Sequence, residues 1–134
     1  TNKKLKLWKI KDSDTCTFCE GGIETITHIL WDCTYSQRIW TSLFEWIKIK
    51  TDSNITFSMQ EIFLGINFEN FMAFNCIFII CKQYLYACRC LESKPNFQEL
   101  VTKILYYKNV EKYIATKNSK LQLHNNKWAI FKEL

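Results

Sequence analysis

The chain has 134 residues, 48% of them hydrophobic and 16% aromatic, with a formal net charge of +5, three glycines and one proline. That length suits one domain with a real core, and the composition excludes a disordered, low-complexity or glycine-rich sheet protein. Seven cysteines, an odd number, speak against a secreted disulfide framework and for a reducing compartment. Thr1-Asn2-Lys3-Lys4 is polar and basic with no apolar run behind it, so no secretory leader is expected.

Residues 1–11 set Leu5, Leu7, Trp8 and Ile10 between lysines and read as the end of an element whose start lies upstream. The chain is therefore expected to be a piece of a longer protein. Next come Cys16, Cys19, His28 and Cys33, at the spacing of the ligands of a single tetrahedral zinc ion. Zinc favours four soft or borderline donors, and three thiolates with one imidazole form a closed, structural site. Two cysteines three apart reach one ion only across a tight turn, and Gly21-Gly22 are expected to supply the turn that follows this first ligand pair. The stretch from Thr25 to Trp31 is expected to form a helical turn that carries His28 inward.

Beyond the cysteines, Ile39, Trp40, Leu43, Trp46 and Ile47 follow helical spacing from Ser36 to about Lys50. Ser58 with Glu61 three residues on forms a capping box for a short helix through Leu64, stopped by Gly65. The longest helix is expected from about Glu69 to Glu92, apolar on most faces and hence central. Its hydrophobic run from Phe71 to Cys90 is interrupted by Asn75, Lys82, Gln83 and Arg89, so a core helix is expected rather than a membrane span. Ser93-Lys94-Pro95 breaks it. Asn96 can cap a helix from Phe97 to about Thr116, with Phe97, Leu100, Val101, Ile104, Tyr107, Ile114 and Ala115 near one side. A last helix from about Lys120 carries Leu121, His124, Trp128 and Phe131. The expected fold is mainly all-α, a small Cys-Cys-His-Cys zinc finger packed on a helical bundle. Its parts are a basic arm (1–15), the finger (16–34) and a helical C-terminal region (35–134) that forms one domain with the finger.

Charge is unevenly spread. Residues 1–15 carry five lysines against two aspartates, and residues 94–134 carry eight lysines against three glutamates. Residues 16–53, with the ligands, hold three basic against five acidic side chains. A partner attracted by charge should therefore touch the ends of the chain and not the finger. Lys3, Lys4, Lys6, Lys9 and Lys11, and then Lys103, Lys108, Lys112, Lys117 and Lys120, are the candidates for phosphate contacts. The plainer reading is a solvated lysine face. Phe18 and Trp31, beside ligands, are candidates for stacking on bases, against the plainer reading that both rings pack near Trp40 and Leu43. Cys76, Cys81, Cys88 and Cys90 are expected to be free thiols on a core helix rather than a second metal site, and His124, one helical turn from Trp128, to be a packed or exposed histidine.

The run from Thr1 to Leu5, then Trp8 to Cys16, Cys16-Thr17-Phe18-Cys19, Glu24 to Cys33 and Trp40 resemble the C-terminal zinc-binding segment of non-LTR retrotransposon (long interspersed element) reverse transcriptases. Tyr84 to Cys90, Pro95-Asn96-Phe97 and Lys127-Trp128 look like the tail that follows the finger in vertebrate-type elements. The resemblance implies a segment that helps hold template RNA or target DNA while the element primes synthesis at its target. It also implies an upstream polymerase domain as partner, and a place in a ribonucleoprotein of the nucleus or cytoplasm with no membrane. Neither the polymerase's aspartate motif nor an endonuclease motif occurs here, so the segment itself is expected to be catalytically silent. The alternative is a structural or protein-interaction domain that braces the polymerase or recruits a host factor.

Overall fold

A computed structural model describes residues 1–132. The helices are α1 (Asn2–Leu7), α2 (Thr34–Thr51), α3 (Met59–Leu64), α4 (Met72–Cys90), α5 (Phe97–Lys117) and α6 (Leu121–Trp128). A π-helical turn, His28–Asp32, leads into α2, and a 3-10 turn, Glu69–Phe71, leads into α4. Among the described residues no strand occurs. An isolated antiparallel bridge joins Thr15 and Ile23. The chain is all-α, as its periodicity implies.

Local signals account for much of this. Ser58 accepts from the Glu61 amide while the Glu61 carboxylate accepts from the Ser58 amide at 2.7 Å, so the capping box starts α3. Gly65, at φ +90°, ends it. Elsewhere the chain manages with non-glycine stops. Lys9, Asp52, Glu92 and Ser119 all take left-handed φ between 51° and 56° just beyond helix ends. After Lys9, Glu92 and Ser119 the next amide reaches back five residues: Ile10 to Leu5, Ser93 to Cys88 and Lys120 to Ala115, at 2.9, 2.9 and 2.7 Å. These closures satisfy carbonyls that a helix end leaves open, at a backbone cost of about 1–2 kcal/mol per left-handed residue.

The described residues form two compact units, and the division falls within α2 and α4. The first comprises Thr1–Leu43 and Lys82–Phe97. It holds α1, the cysteine loop, the start of α2 and the end of α4. Ile29, Ile39, Trp40, Leu43, Tyr84, Leu85 and Cys88 are buried in it. The Tyr84 hydroxyl accepts from the Asn96 amide at 2.8 Å and donates to the Asn96 carbonyl at 3.0 Å, which holds the turn before α5.

The second unit comprises Phe44–Cys81 and the chain from Gln98 on. Its core is aromatic. Phe57 lies 5.1 Å from Phe74 and 4.9 Å from Phe78 by ring centroid, and Phe131 lies 5.1 Å from Phe74 and 5.9 Å from Trp128. Each fully buried ring of this kind stabilises the fold by about 1.5–3 kcal/mol. Asn75 brackets the loop after α3, with its side chain bonded to both the amide and the carbonyl of Ile66 at 2.9 Å. Glu111 on α5 is met from α6 by Lys127 at 2.6 Å and by the Trp128 indole at 2.9 Å. His124 is buried beside Trp128, with ring centroids 6.3 Å apart.

The segment Glu69–Cys90 is long and apolar enough to cross a membrane by length and composition, and half of it is buried within the protein. Its buried side chains include Ala73, Phe74, Ile77, Phe78, Cys81, Leu85 and Cys88, at the three-and-four spacing of one helix face. Arg89 near its end is ion-paired to a buried carboxylate.

Candidate metal centre

Cys16, Cys19, His28 and Cys33 come together in the first unit, with their donor atoms all within 4.8 Å of one another. Cys16 Sγ lies 3.8 Å from Cys33 Sγ, and Cys19 Sγ lies 3.4 Å from His28 Nε2. A tetrahedral zinc ion, with Zn–S near 2.3 Å and Zn–N near 2.0–2.1 Å, requires edges of about 3.8 Å between two sulfurs and about 3.5 Å between sulfur and nitrogen. The donors fit a zinc ion.

Each donor is placed by a local device. Cys16 and Cys19 flank a tight turn in which the Glu20 amide bonds to the Cys16 carbonyl at 3.0 Å. Just after this turn the left-handed residue is Glu20, at φ 57°, and not either glycine. Gly22 serves a different purpose. A Cβ on it would come 2.9 Å from His28 Cε1, so the imidazole lies against bare backbone. Gly21 has only an ordinary contact, to the Cys19 carbonyl at 3.6 Å.

His28 and Cys33 are separated by one π-helical turn. The Cys33 amide bonds to the His28 carbonyl, five residues back, at 2.8 Å, so both side chains return to the same side. Thr25 Oγ1 accepts from the His28 amide at 3.0 Å. The widened turn is tied to α2 by Ser36 Oγ on the Ile29 carbonyl (2.6 Å) and by the Trp40 indole on the Leu30 carbonyl (2.7 Å).

The electrostatics tie ionisation of the thiols to a cation. Burial pushes the Cys16 thiol up to about 12, despite the amides of Cys19 and Phe18 that point at it, and it raises Cys33 as well. Burial acts on Cys19 in the same direction, but the Gly21 amide and the contact with His28 outweigh it and bring that thiol down to about 7. Three neighbouring thiols cannot all ionise in such a place unless a divalent ion takes their charge. Binding must therefore release protons.

Beside the centre is a second device that no sequence motif marks. Glu24 is fully buried. Its Oε1 accepts from the Asn2 amide at 2.7 Å and from Arg89 Nε at 2.9 Å, and its Oε2 from the Thr17 amide at 2.9 Å. The Thr17 hydroxyl and the Asn2 side-chain amide donate as well. Burial alone would raise its pKa, yet these bonds from Thr17, Asn2 and Arg89 bring it down to about 2. One carboxylate thus joins α1, the cysteine loop and α4. The Asn2 side chain also donates to the Thr15 carbonyl at 2.7 Å and accepts from Arg89 at 3.0 Å.

The other expected site residues are sorted by the fold. Phe18 is 1% exposed and lies 6.5 Å from Tyr35 by ring centroid, so it offers no face to a base. Trp31 is half-buried against Trp40. On the arm, Lys6 pairs with Asp14 at 3.2 Å and Lys11 with Glu92 at 3.6 Å. Lys3, Lys4 and Lys9 are exposed and carry no ion pair among the described residues. Lys103, Lys112, Lys117 and Lys120 are exposed, whereas Lys108 is half-buried over the Trp128 ring and its pKa is lowered by burial. None of the seven cysteines is in a disulfide, and on α4 Cys81 and Cys88 are buried and Cys90 is exposed. Among the described residues, the α4 cysteines form no second metal cluster.

Residues 1–40 match the protein family described as zinc-binding in reverse transcriptase. That stretch contains α1, all four ligands and Trp40. No curated protein and no solved structure matches the chain. The closed Cys3His set and the family match together identify a structural zinc site, in which four protein donors leave no position for a reacting water.

Proposed function

We propose that this chain is the zinc-stabilised, nucleic-acid-binding module of a non-LTR retrotransposon reverse transcriptase, which holds template RNA or target DNA beside the polymerase during target-primed synthesis. In this reading zinc and Glu24 build the scaffold, and phosphates are met by lysines on the outside of it. The module itself carries no catalytic step and works in a reducing compartment, within a nuclear or cytoplasmic ribonucleoprotein. The observation that carries the reading is the set of unneutralised lysines on α1 and just beyond its end. Lys3, Lys4 and Lys9 stand free in the same unit as the zinc donors, whose own stretch of sequence, 16–53, has an excess of acidic residues.

The test is a salt titration of RNA and DNA binding. Each lysine–phosphate contact contributes about 0.7–0.9 to the slope of log affinity against log salt. Changing Lys3, Lys4 and Lys9 together to Ala should reduce that slope by about two to three and weaken all sequences alike. Lys6→Ala, which loses a partner already given to Asp14, should have a smaller effect. Unchanged affinity and slope in the triple variant would overturn the reading.

A second reading, docking of another protein surface, also has an observation behind it. A groove of about 1040 Å³ runs beside α1, lined by Leu5, Leu7, Trp8, Ile26 and Tyr86 among others. Leu7 and Trp8 are 78% and 62% exposed. Complex formation with the polymerase region that persists at high salt would favour that reading.

A further inference from the structure

The outer face of α5 is unusual for a helix of a folded unit. Leu100 and Ile104 are buried, and Glu111 is committed to Lys127 and Trp128. A different set lies on the exposed side. Lys103, Tyr106, Val110, Tyr113 and Lys117 follow one another at three- and four-residue steps, which places them in a single stripe along the helix. Tyr106 and Tyr113 are 63% and 64% exposed, and Ile114 beside them is 52% exposed. The two rings stand two turns, or about 10 Å, apart. Lys117 Nζ lies 5.6 Å from the centre of the Tyr113 ring.

A contiguous exposed aromatic stripe offers a binding face, and its charge selects the occupant. Between positions 100 and 120 the chain has five lysines and one carboxylate, Glu111, which is already paired. Flat rings flanked at both ends by ammonium groups match a ligand that alternates planar bases with phosphates.

We infer that the Lys103–Tyr106–Val110–Tyr113–Lys117 stripe of α5 is a stacking platform for a single-stranded polynucleotide, its tyrosines taking bases while its lysines meet the backbone. The inference rests on the nucleic-acid reading above and adds a second, separate contact surface to it. Duplexes, whose bases are already stacked, gain nothing from the rings. Sequence preference is weak, because every base has a face to offer.

The experiment uses the full chain with zinc and three ligands of about a dozen nucleotides: a single-stranded RNA, the same sequence as DNA, and an abasic strand of equal length. The base-bearing strands should bind more tightly than the abasic one, on the order of tenfold or more for each ring engaged. Tyr106→Leu with Tyr113→Leu should erase that preference while leaving abasic affinity and salt slope as they were. The double phenylalanine variant should retain it, which guards against loss of folding as the cause. The relative strength of RNA and DNA shows which sugar the platform serves. Equal binding of abasic and base-bearing strands by the unaltered chain, or an intact preference in the leucine variant, overturns the platform and leaves phosphate binding standing. No binding of any strand at low salt overturns both.

Discussion

Replacing Glu24 by glutamine would keep the shape of the side chain and remove its charge, in a place where every neighbour donates. Asn2, Thr17 and Arg89 present three hydrogen bonds of 2.7 to 2.9 Å to its two oxygens, with the Thr17 hydroxyl and the Asn2 amide group close behind. In either orientation the new NH2 group faces donors, and the Arg89 guanidinium, 13% exposed, loses its counter-ion. Breaking a buried pair from one side costs about 3–5 kcal/mol. The carboxyl's own titration gives a similar figure. Holding it at about 2 against its ordinary 4.5 stabilises the folded state at neutral pH by about 3 kcal/mol, at about 1.4 kcal/mol per pKa unit. Because the folded-state pKa is depressed, this stabilisation is complete above about pH 4.5 and drains away as the pH falls toward 2. Urea denaturation in excess zinc at pH 7 should place E24Q about 3 kcal/mol below the unaltered protein. Arg89→Met should cost a comparable amount, and the double variant much less than the sum. A loss under about 0.5 kcal/mol for E24Q would show that the cluster is dispensable and that this reasoning is wrong.

Two further outcomes concern the metal. Protein purified without added zinc should hold close to one equivalent, and Cys19→Ser or a strong chelator should release it and unfold the loop, since such a loop has too little apolar surface to fold unaided; full zinc content in Cys19→Ser by elemental analysis would contradict the ligand set. Gly22→Ala should weaken zinc binding by about tenfold in a chelator competition, because the added methyl meets the His28 ring at 2.9 Å and displaced ligands cost about ten- to a hundredfold, whereas Gly21→Ala should leave it unchanged.

What could be read along the chain was what short-range interactions decide. The four donors are recognisable because a metal imposes its spacing on the sequence. The Ser58–Glu61 box and the helices from Thr34 to Trp128 are recognisable because capping and helical periodicity act over three or four residues. Even there the glycine rule misled. After the first ligand pair the left-handed residue is Glu20 and neither Gly21 nor Gly22, and Lys9, Glu92 and Ser119 end helices where no glycine was available. With the surrounding packing holding the backbone, a modest left-handed penalty is absorbed. Tertiary structure alone decided the partners across long separations. Arg89 finds Glu24 from 65 residues away, Lys6 and Lys11 are drawn into ion pairs while Lys3, Lys4 and Lys9 stay free, and Phe18 is enclosed while Tyr106 and Tyr113 are left outside. A lysine or an aromatic ring looks the same in sequence whether it is paired, buried or exposed. Its state depends on which distant elements pack around it, and no local pattern encodes that.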